Sequence, residues 1–499
     1  MSWAKGLVVE AGGHGVVSHA GSAVVRLLAD RTGLTGGLSG ALARRGFAPA
    51  HDRGRVLTDL AVAIADGATT ISDIDALRHQ GELFGPVASD STVWRALSEC
   101  DAAALARISK ARAKARRHVW DLVAARHGGI PPARAAGRDL GDVIVIRLDA
   151  TIVIAHSDKQ QARGTFRGTY GFHPLTAWCD NTSESLAAGL RPGNAGSNTA
   201  ADHIALTDAA IAQIPARYRR RMLFTCDGAG STHALAGHLS KLNARRGHQA
   251  HYSAGLDFDE RIRHVLPKLP ESAWSAALEA DGTPRPGAQV AELTGLLRHS
   301  AGGDRFAKWP PDMRILVRRE NPHPGAQLSL FEQHEGKRYQ VTATSTPGGQ
   351  VQFPGARHRT QARVEDRIRC AKATGLRHLP SRNYQASTAW CQAASTACDL
   401  LAWLRLLALD GDLAKAEPKT LRYKILHAAG RIVKGQRRRY LRIPAAWPAT
   451  PPTRSPRSWP CPRHNPAAPD PATREGDHQP AVEPAPTRRD SRADHHAAH

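Results

Sequence analysis

The chain has few cysteines, and their arrangement excludes two kinds of small cross-linked domain. Its 499 residues include seven Cys, an odd number, with no C-x-x-C pair among them. This pattern suits neither a disulfide framework nor a zinc ribbon and is typical of a reducing compartment. We therefore expect a cytoplasmic protein. A chain of this length can bury a core without cross-links, and about three domains are expected.

Long apolar runs are also absent. The longest candidates, residues 143–146 and 400–409, fall short of the roughly 18 residues that a membrane span needs, and Arg405 interrupts the second. Glu10 and His14 lie where a secretory signal would need an uninterrupted apolar core. The sequence thus predicts no secretory signal, no membrane span and no membrane partner.

Acidic residues are scarce relative to basic ones, with 45 Asp and Glu against 68 Lys and Arg, for a net charge of +23. Such a surplus favours a polyanionic partner, most commonly nucleic acid, although an Arg-rich composition inherited from a GC-rich genome would also produce it. The distribution favours nucleic acid, because the runs 102–127, 357–377 and 415–442 hold 24 of the 68 basic residues. The Pro-rich segment 446–499 has seven Arg against six acids, contains no Leu, Ile, Phe or Met, and is predicted to be a disordered tail.

The first third of the chain is predicted to be helical. Apolar residues recur at helical spacing over 57–64 and 71–77, a turn follows at 83–86, and Ser89 or Ser91 is placed to cap another helix. Two short helices, a turn and a third helix suit a helix-turn-helix DNA-binding unit, but they equally suit an ordinary three-helix packing unit. Both interpretations stay open at this point.

A longer basic helix is predicted over 102–127. Apolar residues lie on one face of this helix. Cations are expected around the rest of it, namely Lys110, Arg112, Lys114, Arg116 and Arg117. Such a helix can lie along a phosphate backbone, and a solvated basic face has much the same pattern. Lys114 and Arg117 are the predicted DNA contacts of this helix.

Strands and helices alternate after residue 132, which predicts an α/β fold. The predicted strands lie at 143–148, 170–178, 185–190 and 221–226, with a helix near 199–214. A β-rich interruption follows, with strands expected at 313–318, 327–332 and 338–344. Helical periodicity returns over 360–375 and 386–409.

Two of the predicted strands end in the same way, with an apolar run followed by an acid and small residues. These acids are Asp149 and Asp227. An acid at the carboxyl end of a strand in an α/β sheet points toward the crevice where ligands bind. Adjacent strands would bring the two carboxylates together, and like charges so close need cations between them. Oxygen ligands of this kind suit Mg²⁺ or Mn²⁺.

Glu365 is the best candidate for a third acid. It lies on a predicted helix that also carries Lys372 seven residues later, on the same face, and Arg363 and Arg369 are placed to engage a phosphate strand. The alternative is a charged surface helix in which Glu365 pairs with Arg369 at i,i+4. The two strand acids favour the first interpretation.

Several motifs together resemble those of the DDE transposases of bacterial insertion sequences, specifically the 1380-type group with an RNase H-like catalytic domain. The matching segments over about residues 50–443 are LFGPVASD at 83–90, LDAT at 148–151, YGFHPL at 170–175, LRPGN at 190–194, TCDGAG at 225–230, RVEDRI at 363–368 and DLLAW at 399–403. The resemblance implies a catalytic triad of Asp149, Asp227 and Glu365. It also implies phosphoryl transfer on DNA with two Mg²⁺ or Mn²⁺ ions. These carboxylates would hold the two ions about 3.5–4 Å from each other.

Related transposases share a signature in which Tyr, Arg, Glu and Lys are separated by two, three and six residues. The Glu365–Lys372 spacing fits it, whereas the Tyr and Arg positions hold His358 and Gln361. By this resemblance, Lys372 contacts a phosphate near the cut, and Arg359 or Arg363 would substitute for the missing Arg. Arg438, in the basic segment after residue 411, is a further predicted DNA contact.

The resemblance completes the expected organisation: an RNase H-like mixed sheet flanked by helices, with a β-rich insertion and a helical DNA-binding region. The expected segments are an N-terminal arm (1–50), the helical region (51–135), the core's first part (136–258), the insertion (259–356), the core's second part (357–410), a basic segment (411–445) and the disordered tail (446–499). The implied partners are double-stranded DNA, as terminal inverted repeats and as target, and a second copy of the chain in a homodimer.

Three functional hypotheses follow. The first is an active cut-and-paste transposase. The second is a catalytically inactive remnant or repressor that binds DNA without cutting it, and the third is a metal-dependent nuclease unrelated to transposition.

Overall fold

The computed structural model describes residues 7, 8, 10, 12–196, 199–300, 306–435 and 438–444. The described helices and strands belong to one compact unit within residues 1–455. The tail predicted over 446–499 lies outside the described residues. Among the described residues, no helix is both long and apolar enough to cross a membrane.

Helices form most of the N-terminal part and flank the sheet further on. They are α1 (Ser22–Arg31), α2 (Leu34–Leu42), α3 (Arg53–Asp66), α4 (Asp75–Arg78), α5 (Gly81–Phe84), α6 (Asp90–Ser98), α7 (Ala102–His127), α8 (Ala200–Gln213), α9 (His233–Asn243), α10 (Glu260–Val265), α11 (Thr294–His299), α12 (Leu330–Glu335), α13 (Gln352–Arg359), α14 (Arg363–Ala371), α15 (Tyr384–Ala408) and α16 (Pro418–Leu421).

The strands alternate with these helices. They are β1 (Val16–Val17), β2 (Arg134–Ala135), β3 (Arg138–Asp139), β4 (Ile144–Ala150), β5 (Val153–Ile154), β6 (Arg163–Gly164), β7 (Tyr170–Phe172), β8 (Leu175–Cys179), β9 (Ser185–Gly189), β10 (Arg221–Cys226), β11 (Gln249–Leu256), β12 (Ser275–Leu278), β13 (Pro284–Glu292), β14 (Arg314–Glu320), β15 (Arg338–Thr344), β16 (Gly430–Gly435) and β17 (Arg438–Arg442).

A nine-stranded mixed sheet with the order β12-β13-β14-β15-β11-β10-β4-β8-β9 is the centre of the fold. β10 pairs in parallel with both β4 and β11, whereas β8 and β9 run antiparallel to their neighbours. The prediction of a mixed sheet flanked by helices is confirmed. The strands of the expected insertion extend this same sheet, because β15 pairs antiparallel with β11.

Two local predictions were wrong. No strand forms at 327–332; α12 begins at Leu330 instead, with a capping box between Ser329 and Glu332. Residues 170–178 form two short strands in different sheets rather than one. Within the expected N-terminal arm, α1 and α2 pack against other helices, and sequence periodicity did not reveal them.

The cations of α7 do not all surround it, as the sequence had suggested. Arg112 and Arg116 are buried between α7, α15 and the β9 edge of the sheet. Arg116 donates hydrogen bonds to Glu184 at 2.8 Å and to Asp399 at 2.5 Å, and Arg112 reaches the same Asp399 oxygen at 2.8 Å. Two guanidiniums and two carboxylates thus compensate one another inside the protein, so this part of the positive charge is not available to DNA.

Candidate active site

The two strand acids lie opposite each other because their strands are parallel neighbours. Asp149 is the penultimate residue of β4, and Asp227 directly follows β10. Thr225 on β10 pairs with Arg147 on β4. Two residues further along each chain segment, the same register places Asp227 opposite Asp149. The apolar segments that make these strands buried therefore also place the two carboxylates at one sheet edge.

Glu365 reaches the same place from a helix that is distant in sequence. It lies in the first turn of α14, and all three acids line one cleft of about 710 Å³. The complete lining is Asp149, Ala150, Thr151, Phe166, Arg167, His173, Asp227, Ala229, Glu365, Ile368, Arg369, Lys372, Ala373 and Arg377. Four cations lie on its rim: Arg167, Arg369, Lys372 and Arg377. Neither Arg167, which is an isolated charge in the sequence, nor Arg377 was predicted as a site residue.

Crowding of negative charge is evident at Asp149. Burial first, and then the nearby carboxylates of Asp227 and Glu365, raise the pKa of Asp149 to about 7. The hydrogen bond from the Ala150 amide and the charge of Lys372 only partly offset this rise. Burial and the two neighbouring carboxylates thus disfavour the ionised form of Asp149, and a cation bound beside it would favour that form.

The donor set of the cleft fits divalent cations that prefer oxygen. Asp149, Asp227 and Glu365 offer three carboxylates, and one oxygen of Asp227 is oriented by the Gly230 amide at 3.0 Å. Among the described residues, only one group of three side chains drawn from His, Cys, Asp and Glu has ligand atoms that all lie within 4.8 Å of one another, and this group lies outside the cleft. The ligand atoms of the three cleft acids are therefore not all within 4.8 Å of one another.

Lys372 and Arg369 both lie on the rim, but they differ in burial and in their charged neighbours. Lys372, directly after α14, is half-buried; this burial and the nearby Arg377 and Arg167 lower its pKa. Arg369 is exposed and binds both oxygens of Glu417, at 2.6 and 2.9 Å, as well as Asp366. The expected alternative of a Glu365–Arg369 ion pair is not formed, so Glu365 stays directed at the cleft.

The two departures from the transposase signature occupy interior positions. Gln361 is buried beneath the acids, where it accepts a hydrogen bond from Thr225 at 2.5 Å and donates one to the Leu148 carbonyl at 3.0 Å. His358 bonds to Ser253 at 3.0 Å, and burial together with neighbouring arginines lowers its pKa to about 4. In this chain, both side chains brace the sheet under the cleft rather than face a ligand.

The arginines considered as substitutes for the missing signature Arg do not line the cleft. Arg359 donates to the Leu278 carbonyl at 3.0 Å. Arg363 is held by Asp180 at 3.2 Å and by the Arg134 carbonyl at 2.8 Å. The phosphate-binding role predicted for Arg363 would require it to leave these partners.

The remaining predicted DNA contacts lie outside the cleft. Lys114 and Arg117 are exposed on α7, whereas Arg112 and Arg116 of the same helix are buried. Arg438 is exposed on β17, which pairs with β16 in a hairpin. These three residues therefore sit on the surface, separately from the acids.

Comparison with known proteins gives remote structural likenesses and a family match. No curated protein matches the chain significantly. Among solved structures, the chain is similar to a piggyBac transposase, seen by cryo-EM in a synaptic complex with hairpin DNA. The two share 9% identity over 84% of this chain and 83% of that one, with a TM-score of 0.37.

The family match covers most of the sequence. The model of the family described as "Transposase DDE domain group 1" matches residues 2–455. The match includes the cleft, both strands that carry its aspartates and the helix that carries its glutamate. The chain therefore belongs to the DDE-domain transposases of group 1.

Proposed function

We propose that the chain is an insertion-sequence transposase of the 1380-type group, which cuts and rejoins DNA at its element's terminal inverted repeats. Asp149, Asp227 and Glu365 are its catalytic residues. The observation that carries this proposal is the convergence of these three carboxylates, from two parallel strands and a helix, in a cleft with a cationic rim.

The acids act in this proposal as ligands of Mg²⁺ or Mn²⁺. Bound ions would make a water molecule, or a DNA 3′-hydroxyl, a better nucleophile and would stabilise the leaving oxygen. The chain itself fixes the positions of the three carboxylates, and the Gln361 bridge ties the two strands to the segment that leads into α14. Lys372 would bind the phosphate next to the cut, because its ammonium group lies on the rim beside Asp149.

DNA outside the cleft would be bound by surface cations. Lys114 and Arg117 on α7 and Arg438 on the C-terminal hairpin are exposed and belong to the basic runs of the sequence. Arg369 would add to them after exchanging Glu417 for phosphate. Two DNA ends have to be brought together before joining, so we propose a homodimer in the DNA complex.

The assay that tests this function uses the full chain with Mn²⁺ and DNA that carries the element's own terminal repeats. We expect strand cleavage at the repeat ends and joining of these ends to a second DNA. Binding without cleavage would instead support the inactive remnant or repressor, and cleavage without joining would support a nuclease.

A matched pair of variants separates chemistry from general charge effects. Asp227→Asn should abolish both products while leaving repeat binding intact. Asp142→Asn removes an exposed acid that pairs with Arg221 at 2.6 Å outside the cleft, and it should cut like the wild type. Equal activity of the two variants would refute the assignment.

A further inference from the structure

A second group of metal-ligating side chains lies away from the cleft. His19, Asp66 and His427 are brought together from three distant parts of the chain, and their ligand atoms all lie within 4.8 Å of one another. His19 Nδ1 is 2.6 Å from one carboxylate oxygen of Asp66, and His427 Nε2 is 3.5 Å from the other. None of the three lines the cleft, so this group is separate from the proposed catalytic site.

The main chain holds the two histidines next to each other. The Ala20 amide donates to the Ala428 carbonyl at 2.7 Å, and β1 pairs antiparallel with β16. Gly21 packs so closely that a Cβ there would come within 1.9 Å of the Ile425 carbonyl oxygen. The imidazoles themselves stack with their centroids 4.2 Å apart. Their proximity therefore follows from the packing of the two segments.

The backbone at His19 is strained in favour of this arrangement. His19 has φ +52°, a left-handed conformation that is unfavourable for a residue with a Cβ. Strain of this kind persists where the surrounding structure enforces it, and it is concentrated at ligand clamps and active sites. At residue 19 this conformation accompanies the 2.6 Å contact between the imidazole and Asp66.

The carboxylate is positioned as a ligand would be. Asp66 ends α3, and only 6% of its side chain is exposed, against 34% for His19 and 38% for His427. Ser22 donates a hydrogen bond to the Asp66 oxygen that His19 does not contact. Such a second hydrogen bond fixes the orientation of a metal-binding carboxylate. The half-exposed imidazoles leave a path by which an ion could enter.

We propose that His19, Asp66 and His427 bind one Zn²⁺ ion. Two imidazole nitrogens and one carboxylate oxygen are a donor set that zinc accepts, with water as the fourth ligand. Zinc would replace the His19–Asp66 hydrogen bond. His427 Nε2 now lies 2.8 Å from the main-chain carbonyl oxygen of Asp66. His427 would bind zinc through this nitrogen, with its proton on Nδ1. The bound ion clamps the segment before α1, the end of α3 and the segment before β16 to one another.

The test compares zinc content in the full chain after saturation with Zn²⁺ and removal of unbound metal. His427→Gln and His19→Asn should each hold one zinc ion fewer per chain than the wild type; Asn is chosen at 19 because it tolerates positive φ. The control is His238→Gln, which breaks a His238–Asp208 pair of 2.8 Å that lacks a third ligand. It should lose none. Equal zinc content in all four proteins would overturn the proposal.

Two further measurements do not depend on the folding of the His variants. Asp149→Asn combined with Asp227→Asn removes two of the three cleft carboxylates and should keep the zinc ion that His19, Asp66 and His427 bind. In the wild type, Zn²⁺ should slow amide exchange at residues 19–22 and 425–428. Unchanged exchange at both segments would show that the three residues form only a hydrogen-bonded contact.

Discussion

The buried charge network between α7 and α15 provides the sharpest stability prediction. Asp399 accepts hydrogen bonds from both Arg112 and Arg116 and from the Ser185 amide, and its side chain is 1% exposed. Burial alone would lower the pKa of Arg116, but the charges of Asp399 and Glu184 outweigh it and hold its pKa above the usual value. Asp399→Asn would therefore leave two charged guanidiniums with one remaining carboxylate.

Removing one partner of a buried ion pair costs about 3–5 kcal/mol, because the other charge stays buried without compensation. The unfolding entropy is about 2.1 cal/mol/K per residue, which for a unit within residues 1–455 amounts to roughly 1 kcal/mol/K. We therefore expect Asp399→Asn to lower the thermal midpoint by about 3–5 °C.

Thermal unfolding followed by fluorescence is a suitable assay, since Trp120 and Trp403 are buried against the same network and both donate to Glu184. Asp142→Asn is the control. It breaks an exposed pair with Arg221, and surface pairs contribute about 0–1 kcal/mol. If the two substitutions lower the midpoint equally, the buried network does not stabilise the fold as argued.

Three further predictions concern residues around the cleft. Gln361→Leu removes the bridge beneath the acids. Single-turnover cleavage should slow by up to about a hundredfold at unchanged DNA affinity, because small misplacements of catalytic groups are costly. An unchanged rate would contradict this positioning role. His358 has a folded pKa of about 4, below its ordinary 6.5, so its contribution to stability is present above pH 6.5 and is lost as the pH falls toward 4. His358→Gln should therefore show a smaller drop in thermal midpoint between pH 7 and pH 5 than the wild type, and an equal drop would count against it. Lys372→Met should weaken DNA binding and reduce its salt slope by about one, whereas Arg369→Met should have a smaller effect because Glu417 already pairs with that arginine; the opposite ranking in a salt titration would refute this view of the rim.

The parts of the fold that local pattern controls could be predicted from the sequence. The apolar runs of β4 and β10 identified both strands, and their parallel pairing made the approach of Asp149 and Asp227 foreseeable. The strand expected at 327–332 was wrong although Ser329 and Glu332 carry a readable capping-box signature, which outweighs the alternation of apolar residues there.

Long-range pairing could not be predicted from the sequence. The basic run of α7 gives no sign that Arg112 and Arg116 turn inward, because their partner Asp399 lies more than 280 residues away. The grouping of His19 with His427 depends in the same way on segments that meet only in the folded chain.

The central claim is that Asp149, Asp227 and Glu365 act together in DNA cleavage. The most direct measurement is the single-turnover cleavage rate of terminal-repeat DNA in Mn²⁺, for the wild type and for Asp149→Asn, Asp227→Asn and Glu365→Gln, each with its DNA affinity. We expect each substitution to reduce the rate at least about a thousandfold, as losses of groups that act as a unit do, while the affinity stays within a few-fold of the wild type. A variant of any of the three that cuts at the wild-type rate would contradict the claim.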